Sequence, residues 1–357
     1  MIRPSVALFA LALSSLVCIV TVAGAGEPVA SQVRSRADHP PRKVIVGTAI
    51  YGPYGKYPGL DERLNELSEI VDEMARRAKR QYPGHSLDLA ILPETTTTAS
   101  TGPAQDRAIP LEGKVRDAFR DLARKHKSYI LMALDIREKG PKGLIYSNSA
   151  VLFDRQGKVV GIYRKVHPVA VAGTSELESG ITPGQAYPVF DCDFGKLGVQ
   201  ICWDIQFAAG WDALGRAGAE IVAWPTASPA TVLPATRAHE HRYYVVSCPW
   251  RDNATIHEPT GMVAARIVPP ERVLVHEIDL SYAIVGWSSF LHNGQALRDK
   301  FGEKVGFHYS AREDMGLFWS NDPATPIGAM IRSIGGELLD DQVERNRQLY
   351  SKASAIP

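Results

Sequence analysis

The stretch GKLGVQICWD, residues 195–204, ends a glycine-punctuated apolar segment with a cysteine and an aspartate. The apolar part is typical of a buried strand. A free cysteine behaves as a small hydrophobic side chain and is among the residues most often buried. Taken alone, Cys202 is therefore predicted to fill the core. A chemical role for its thiol has to come from other parts of the chain.

Two other strand-like segments also end in a reactive side chain. Glu94 ends the segment LDLAILPE, and Lys165 ends the segment KVVGIYRK. Ligand crevices of α/β folds form at the carboxyl ends of strands, so the three side chains are expected to converge. Glu94 could then remove the proton of the Cys202 thiol. Lys165 would lower the thiol pKa and hold the negative charge of a tetrahedral intermediate.

Further residues near these strand ends are candidates for contact with a substrate. The backbone N–H of Trp203, directly after the thiol, could be a second oxyanion donor. The side chains of Trp203 and Tyr51 could shape a pocket, or both could be core aromatics. Thr226 and Ser228 follow the strand-like segment AEIVAWP, and either could face the substrate.

The alternation of segments along the chain predicts a layered α/β fold. From residue 43, apolar runs rich in β-branched residues alternate with amphipathic segments such as 60–82 and 111–127. Such alternation is typical of sheets covered by helices. Composition does not change before residue 280. The remaining residues, 281–357, are predicted to be a C-terminal extension that packs on the domain or on a partner subunit.

Three motifs resemble those of the carbon–nitrogen hydrolase (nitrilase) superfamily. They are ILPETTTT, YRKVHP and GVQICWDIQF, the last followed by GAEIVAWPTA, and the resemblance covers residues 43–280. It implies a four-layer α-β-β-α sandwich and no cofactor or metal. It also implies that Glu94 is the general base, Lys165 the oxyanion stabiliser and Cys202 the nucleophile.

The resemblance further implies a second glutamate between the lysine and the cysteine. The segment GTSELESGITPGQ offers both Glu176 and Glu178. Glu178 is preferred because it lies nearer the TPG turn, and both could also be solvent-facing loop carboxylates. Members of the superfamily commonly pair, so a homodimer or larger homo-oligomer is expected, formed through the predicted helices 207–217 and 234–242.

The form of the nucleophile motif indicates the reaction. CWDIQF resembles the Cys-aromatic-Asp form of amidase and carbamoylase branches more than the Cys-Trp-Glu form of nitrilases. We therefore expect hydrolysis of non-peptide carbon–nitrogen bonds of small amides through a cysteine thioester. The alternatives are a nitrilase, an N-carbamoyl amide hydrolase and a catalytically silent binding protein of the same fold. A papain-like pairing of Cys202 with His241 is disfavoured because the local cysteine-protease signature is missing.

The composition of the chain gives no indication of binding to nucleic acid or to membranes. The chain has 357 residues, of which 45% are hydrophobic, and a formal net charge of +1. This charge gives no electrostatic argument for binding nucleic acid or an anionic membrane surface. The expected partner is a small-molecule amide or nitrile.

The N-terminal sequence predicts export. Arg3 precedes an apolar run over 6–22 and the small residues Ala-Gly-Ala, a pattern typical of a cleaved signal peptide covering residues 1–25. The mature protein would be periplasmic or secreted, without stable membrane insertion. An uncleaved anchor is the alternative. Residues 26–42 are polar and proline-containing, which predicts a flexible lead-in.

Export would expose the remaining cysteines to an oxidising compartment. These are Cys192, Cys202 and Cys248, and an odd number leaves at least one thiol free. The sequence is compatible with a disulfide between Cys192 and Cys248 but does not determine whether it forms. His239 and His241 lie two residues apart, which puts them on different faces of a helix and makes a zinc site improbable.

Overall fold

The computed structural model describes residues 36–141 and 143–354. The predicted signal peptide and most of the predicted lead-in therefore lie outside the described residues. Within the described ranges, no helix combines the length and the apolar character needed to cross a membrane.

Strands and helices alternate over most of the chain. In chain order, the strands are β1 (Lys43–Ala49), β2 (Leu89–Ile91), β3 (Tyr129–Gly140), β4 (Gly143–Phe153), β5 (Val159–Arg164), β6 (Val189–Cys192), β7 (Gly195–Val199), β8 (Ile221–Thr226), β9 (Tyr244–Pro249), β10 (Thr255–His257), β11 (Val263–Arg266), β12 (Val273–Asp279), β13 (Tyr282–Gly286), β14 (Val305–Ser310) and β15 (Met315–Ser320). The α-helices are α1 (Leu60–Gln81), α2 (Ala104–Arg107), α3 (Lys114–His126), α4 (Ala208–Arg216), α5 (Val232–His241), α6 (Gln295–Phe301), α7 (Ile327–Arg332) and α8 (Leu339–Ser354). Short 3₁₀ helices cover Cys202–Gln206, His292–Gly294 and Gly302–Lys304.

Two six-stranded sheets form the centre of the molecule. The first sheet has the order β12-β1-β2-β3-β4-β5, and the second has the order β11-β10-β9-β8-β7-β6. In each sheet the three central strands are parallel: β1, β2 and β3 in the first, and β7, β8 and β9 in the second. Antiparallel strands complete both sides. The carboxyl ends of the parallel strands therefore lie at one edge of each sheet.

Successive side chains of a strand pack alternately in two different hydrophobic cores. On β1, Val44 and Val46 pack in the core between the two sheets, whereas Ile45 packs against α1 and α3. On β8, Ala223 packs between the sheets, whereas Trp224 packs in the core under α4 and α5. Successive side chains of a strand point to opposite faces, so both faces of each sheet are covered. The four layers are helix, sheet, sheet and helix, which confirms the predicted fold class.

Helix α1 shows how the sequence builds an outer layer. Leu67, Val71 and Met74 are fully buried and recur at helical spacing. Burying each such side chain contributes about 1.5–3 kcal/mol. The Met74 sulfur lies only 2.8 Å from the position that a Cβ at Gly47 would occupy, so β1 needs a glycine there.

The C-terminal part of the chain packs on the sandwich. Strands β13, β15 and β14 form a third sheet, and α6 and α7 cover it to make a separate small core. Ile284 and Leu317 of this sheet also reach the core between the two large sheets. From the described N-terminal side, Arg36 Nη1 donates a hydrogen bond to the Tyr282 hydroxyl at 3.0 Å.

Candidate active site

Glu94 lies three residues beyond the end of β2, in the first sheet, and its residue is only 4% exposed. The strand ends before Pro93, as predicted, because proline has no N–H with which to continue the ladder. The carboxylate accepts hydrogen bonds from Lys165 Nζ at 2.7 Å and from Asn148 Nδ2 at 2.8 Å on Oε1. Oε2 accepts the backbone N–H of Ala227 at 2.9 Å. Three groups from different segments therefore fix the orientation of this carboxylate.

Lys165 directly follows β5 and is 1% exposed. Its ammonium donates to Glu94 Oε1 at 2.7 Å and to Glu178 Oε1 at 2.5 Å. Burial alone would lower the pKa of Lys165, but the charges of Glu94, Cys202 and Glu178 outweigh burial and raise it. The ammonium is therefore a permanent positive charge in the site. A buried charge is tolerated in this way only when it is paired and hydrogen-bonded.

The structure places Glu178, and not Glu176, against the lysine. Besides Lys165, Glu178 Oε1 accepts the backbone N–H of Val169 at 3.0 Å, and Oε2 accepts Asn148 Nδ2 at 3.1 Å. Glu176 is exposed on the same loop. Asn148 thus bridges the two carboxylates that flank the ammonium.

Cys202 comes from the second sheet. It begins the 3₁₀ helix that follows β7, and its φ of 44° lies in the left-handed region. Such a conformation costs a residue with a side chain about 1–3 kcal/mol and persists only where the surroundings enforce it. Trp224 Nε1 donates to the Cys202 carbonyl at 3.0 Å and is one of these restraints.

Asp204 is a second restraint on the turn that carries the thiol. It is fully buried, and its Oδ2 accepts the backbone N–H of Ile201 at 2.9 Å and the Tyr163 hydroxyl at 2.7 Å. Its Oδ1 accepts the backbone N–H of His167 at 2.9 Å. Because Tyr163 and His167 flank Lys165 in sequence, this aspartate ties the thiol segment to the lysine segment.

The thiol is not activated in the resting site. Burial, followed by the charge of Glu94, raises the pKa of Cys202 to about 11. Lys165, the Thr226 hydroxyl and the backbone N–H of Ala227 act in the opposite direction. Lys165 has the effect expected from the sequence, but burial and Glu94 outweigh it. At neutral pH the thiol is protonated, so it has to lose its proton as it attacks.

These groups surround a cavity of about 490 Å³. Its lining consists of Glu94, Thr95, Ser100, Thr101, Gly102, Arg107, Asn148, Lys165, Val169, Glu178, Ser179, Cys202, Ala227, Ser228 and Trp250. The reactive side chains of both sheets thus open into one space.

The other sequence candidates lie around this cavity in different ways. Ser228 lines it, and the Thr226 hydroxyl behind it donates to the Ser228 carbonyl at 2.8 Å. The Trp203 side chain is 42% exposed and does not belong to the lining, but its N–H is in the first turn of a helix, where N–H groups have no partner within the helix. Tyr51 does not line this cavity: it packs between the first sheet and α1, and its hydroxyl donates to Glu66.

The remaining cysteines do not form a disulfide. Among the described residues, Cys192, Cys202 and Cys248 are all free thiols. Cys248 is fully buried on β9 and its thiol donates to the Ile91 carbonyl of β2 at 3.1 Å. Burial raises the pKa of both other thiols to about 12.

The two histidines considered for other chemistry lie elsewhere. His241 Nε2 is 3.1 Å from Asp212 Oδ1 on α4, and it does not line the cavity around Cys202. His239 Nδ1 contacts the Thr260 carbonyl at 2.9 Å. Over the described part of the chain, no group of three or more His, Cys, Asp or Glu side chains is arranged to hold a metal ion.

Four residues that organise the site were not among the candidates predicted from the sequence. Asn148 and Asp135 sit on β4 and β3, opposite each other in the strand pairing. Arg107 and Asp204 anchor the loops that carry Glu178 and Cys202. A usable signal existed for two of them, since Asn148 and Asp135 are polar residues inside strands that are otherwise buried.

Comparison with known proteins identifies the family. The sequence model of the carbon-nitrogen hydrolase family matches residues 47–285, about two thirds of the chain. The chain belongs to this family of the nitrilase superfamily, and its class is therefore that of hydrolases acting on carbon–nitrogen bonds.

Several curated proteins resemble the chain over most of their own length. The omega-amidase NIT2-A of Xenopus laevis is 27% identical over 247 residues, which cover 63% of this chain and 86% of that protein. The human deaminated glutathione amidase is 29% identical over 254 residues, covering 63% of this chain and 74% of that protein. The bifunctional nitrilase/nitrile hydratase NIT4B of Lupinus angustifolius is 28% identical over 242 residues, covering 62% and 67%.

Solved structures share the fold. Nit3 of Saccharomyces cerevisiae superimposes with a TM-score of 0.56 at 22% identity, covering 67% of this chain and 90% of that chain. An amidase from Nesterenkonia sp. superimposes with a TM-score of 0.51 at 20% identity, covering 66% and 90%.

Proposed function

We propose that this protein hydrolyses the carbon–nitrogen bond of small linear amides through a thioester on Cys202. The observation that carries the proposal is the position of Lys165, whose ammonium is held by Glu94 and Glu178 in the same cavity as the thiol. A base, a fixed positive charge and a nucleophile are the three groups that acyl transfer needs.

The first half of the reaction forms the thioester. The Cys202 sulfur attacks the amide carbon while Glu94 takes the thiol proton, and the carbonyl π electrons move to oxygen. Lys165 and the N–H of Trp203 stabilise this oxyanion. Protonated Glu94 then gives its proton to the leaving nitrogen, the carbon–nitrogen bond breaks, and ammonia or an amine departs.

The second half releases the acid. Water loses a proton to Glu94 and attacks the thioester carbon, again with the oxyanion held by Lys165. The carbon–sulfur bond breaks, the acid leaves, and the proton on Glu94 returns to the Cys202 sulfur. The neutral resting thiol, with its pKa of about 11, is thus restored at the end of each cycle.

The nucleophile motif and the relatives favour an amide over a nitrile. The motif CWDIQF resembles the Cys-aromatic-Asp form of amidase and carbamoylase branches. Two of the relatives similar to this chain are named as amidases. An N-carbamoyl amide keeps the same carbonyl chemistry and is therefore a neighbouring substrate class.

The deciding experiment measures ammonia release from a panel of short amides, nitriles and N-carbamoyl amino acids. Wild-type protein should turn over amides, and a slow amide should leave an acyl adduct on Cys202 visible as a mass increase. Cys202→Ala should lose both turnover and adduct, whereas Cys192→Ala, the matched control, should keep both. Hydrolysis by Cys202→Ala, or an adduct on Cys192, would contradict the proposal.

We also propose that the protein is exported and works as a homodimer or larger homo-oligomer. The export proposal is supported by the sequence pattern of residues 1–25. The assembly proposal is supported by exposed apolar side chains at the starts of α4 and α5, where Phe207 is 39% and Val232 is 74% exposed. Both residues lie at the helices through which association is expected.

A further inference from the structure

The loop that carries Glu178 has a strained backbone. Glu178 and the next residue, Ser179, have φ angles of 43° and 56°, and neither is glycine. Two consecutive residues in the left-handed region cost about 1–3 kcal/mol each unless the surroundings hold them. The carboxylate that contacts Lys165 therefore sits on a loop that needs external restraint.

Helix α2 supplies much of that restraint. The backbone N–H of Ala104, at its start, donates to the Ser179 carbonyl at 2.9 Å. Arg107 Nη2, at its end, donates to the Glu178 carbonyl at 2.9 Å. The two strained residues are thus held by their carbonyl groups from a single short helix.

Arg107 is itself held by hydrogen bonds to β3 and to the loop before α2. Its Nε donates to Asp135 Oδ2 at 2.5 Å, and its Nη1 donates to the Gly102 carbonyl. Asp135 is completely buried on β3, and the residue paired with it on β4 is Asn148. Neighbouring strands therefore restrain Glu178 in two ways. Asp135 on β3 holds Arg107, which donates to the Glu178 carbonyl. Asn148 on β4 donates directly to the Glu178 carboxylate at Oε2.

The buried carboxylate of Asp135 needs an explanation. Burial raises its pKa to about 6, Arg107 opposes this rise, and the charges of Glu178 and Glu94 add to it. A buried ion pair is weak evidence for a stabilising role, because the desolvation of both charges offsets their attraction. A third acidic group behind Glu94 and Glu178 makes the arrangement still less favourable for stability alone.

We propose that Arg107, held by Asp135, is a positioning residue that fixes the Glu178 backbone so that the Glu178 carboxylate stays on Lys165. The proposal rests on the proposed function of the Glu94–Lys165–Cys202 site. Arg107 acts through Glu178. A displacement of a catalytic group by about 1 Å is enough to cost on the order of 100-fold in rate.

The test compares three variants with wild type. Arg107→Lys keeps the charge beside Asp135 but cannot reach Asp135 and the Glu178 carbonyl together. Arg107→Met with Asp135→Asn removes the pair without leaving a buried charge, so the double variant should fold. We expect kcat to fall about 10- to 100-fold in both, with KM within threefold of wild type. Arg155→Met is the matched control: Arg155 bridges Asp88 and Asp193, away from the cavity lining, and its loss should lower Tm but leave kcat unchanged.

A crystal structure of the double variant supplies a readout that does not depend on any substrate. The distance from Lys165 Nζ to the nearer Glu178 oxygen should lengthen beyond hydrogen-bond range from its present 2.5 Å. An unchanged distance, or kcat within twofold of wild type, would overturn the proposal. If wild type hydrolyses no amide, the proposed function fails on its own, and the distance still decides the role of Arg107.

Discussion

Replacing Glu94 with glutamine should change turnover and thiol reactivity in opposite directions. Burial raises the pKa of Cys202 to about 11, and the charge of Glu94, which is also the expected base, adds to this rise. At pH 8, a thiol with this pKa is ionised to the extent of about one part in 10³. Removing the neighbouring negative charge lowers the thiol pKa, and each unit of change raises the thiolate fraction about tenfold.

The expected magnitudes for Glu94→Gln follow from these contacts. Loss of the general base should lower kcat by about 10²–10⁴-fold, while alkylation of Cys202 by iodoacetamide at pH 8 should become about tenfold faster. A glutamine has only one side-chain oxygen, and its amide nitrogen cannot accept a hydrogen bond. Either the Ala227 N–H or the Lys165 ammonium therefore loses the acceptor that Glu94 provides. That loss should cost about 1–3 kcal/mol of stability.

The assay is intact-mass measurement of alkylation over time, with peptide mapping to assign the modified residue. Cys248 is an internal reference because it is buried and its thiol pKa is raised to about 12. Glu178→Gln is the matched control, since Glu178 contacts the same lysine but is not among the main causes of the raised Cys202 pKa. Slower or equal alkylation in Glu94→Gln, or retained turnover, would refute the assignment of Glu94 as both base and pKa determinant.

Four further outcomes are expected. Lys165→Met should lower turnover by about 10²–10³-fold, as for a lost oxyanion donor, and should lower Tm because two buried carboxylates lose their cation; near-normal turnover would remove Lys165 from the mechanism. Burial lowers the pKa of His257 to about 4, below its unfolded value near 6.5, so the unfolded state binds more protons between these values. Stability should therefore fall as pH drops from about 6.5 to 4, and His257→Phe should show a weaker fall in urea titrations. Light scattering at micromolar concentration should give at least a dimer mass, and a monomer mass would contradict the assembly proposal. Intact mass of protein from its native host should lack residues 1–25, and a mass that includes them would contradict export.

The main side chains of the site could be predicted from strand ends in the sequence. Glu94, Lys165 and Cys202 each follow a strand whose apolar pattern is visible in the sequence, and the structure brings all three to one cavity. The pattern also predicted both outer layers, because helical spacing of apolar residues is a local property. The segment that ends at Cys202 was predicted too long, since β7 stops at Val199 and Cys202 has a positive φ angle.

The supporting residues could not be predicted in the same way. The choice between Glu176 and Glu178 depends on a loop conformation with two positive φ angles, which no local pattern specifies. Tyr51 was predicted either to shape a pocket or to be a core aromatic, and the choice depends on how the chain packs beyond the end of β1. The raised pKa of Cys202 depends on burial and on its neighbours in space, whereas sequence showed only that a cation would be near.

The site spans the junction between two separately hydrogen-bonded sheets. Glu94 and Lys165 belong to the first, Cys202 and Ala227 belong to the second, and the Ala227 N–H to Glu94 contact crosses between them. The distance between base and thiol is therefore set by the thickness of the apolar layer that separates the sheets. Substitutions that thin or thicken this layer far from the cavity should alter turnover with every helix and strand intact. On heating, we expect the two sheets to shift relative to each other first. Turnover should then be lost at a lower temperature than secondary structure.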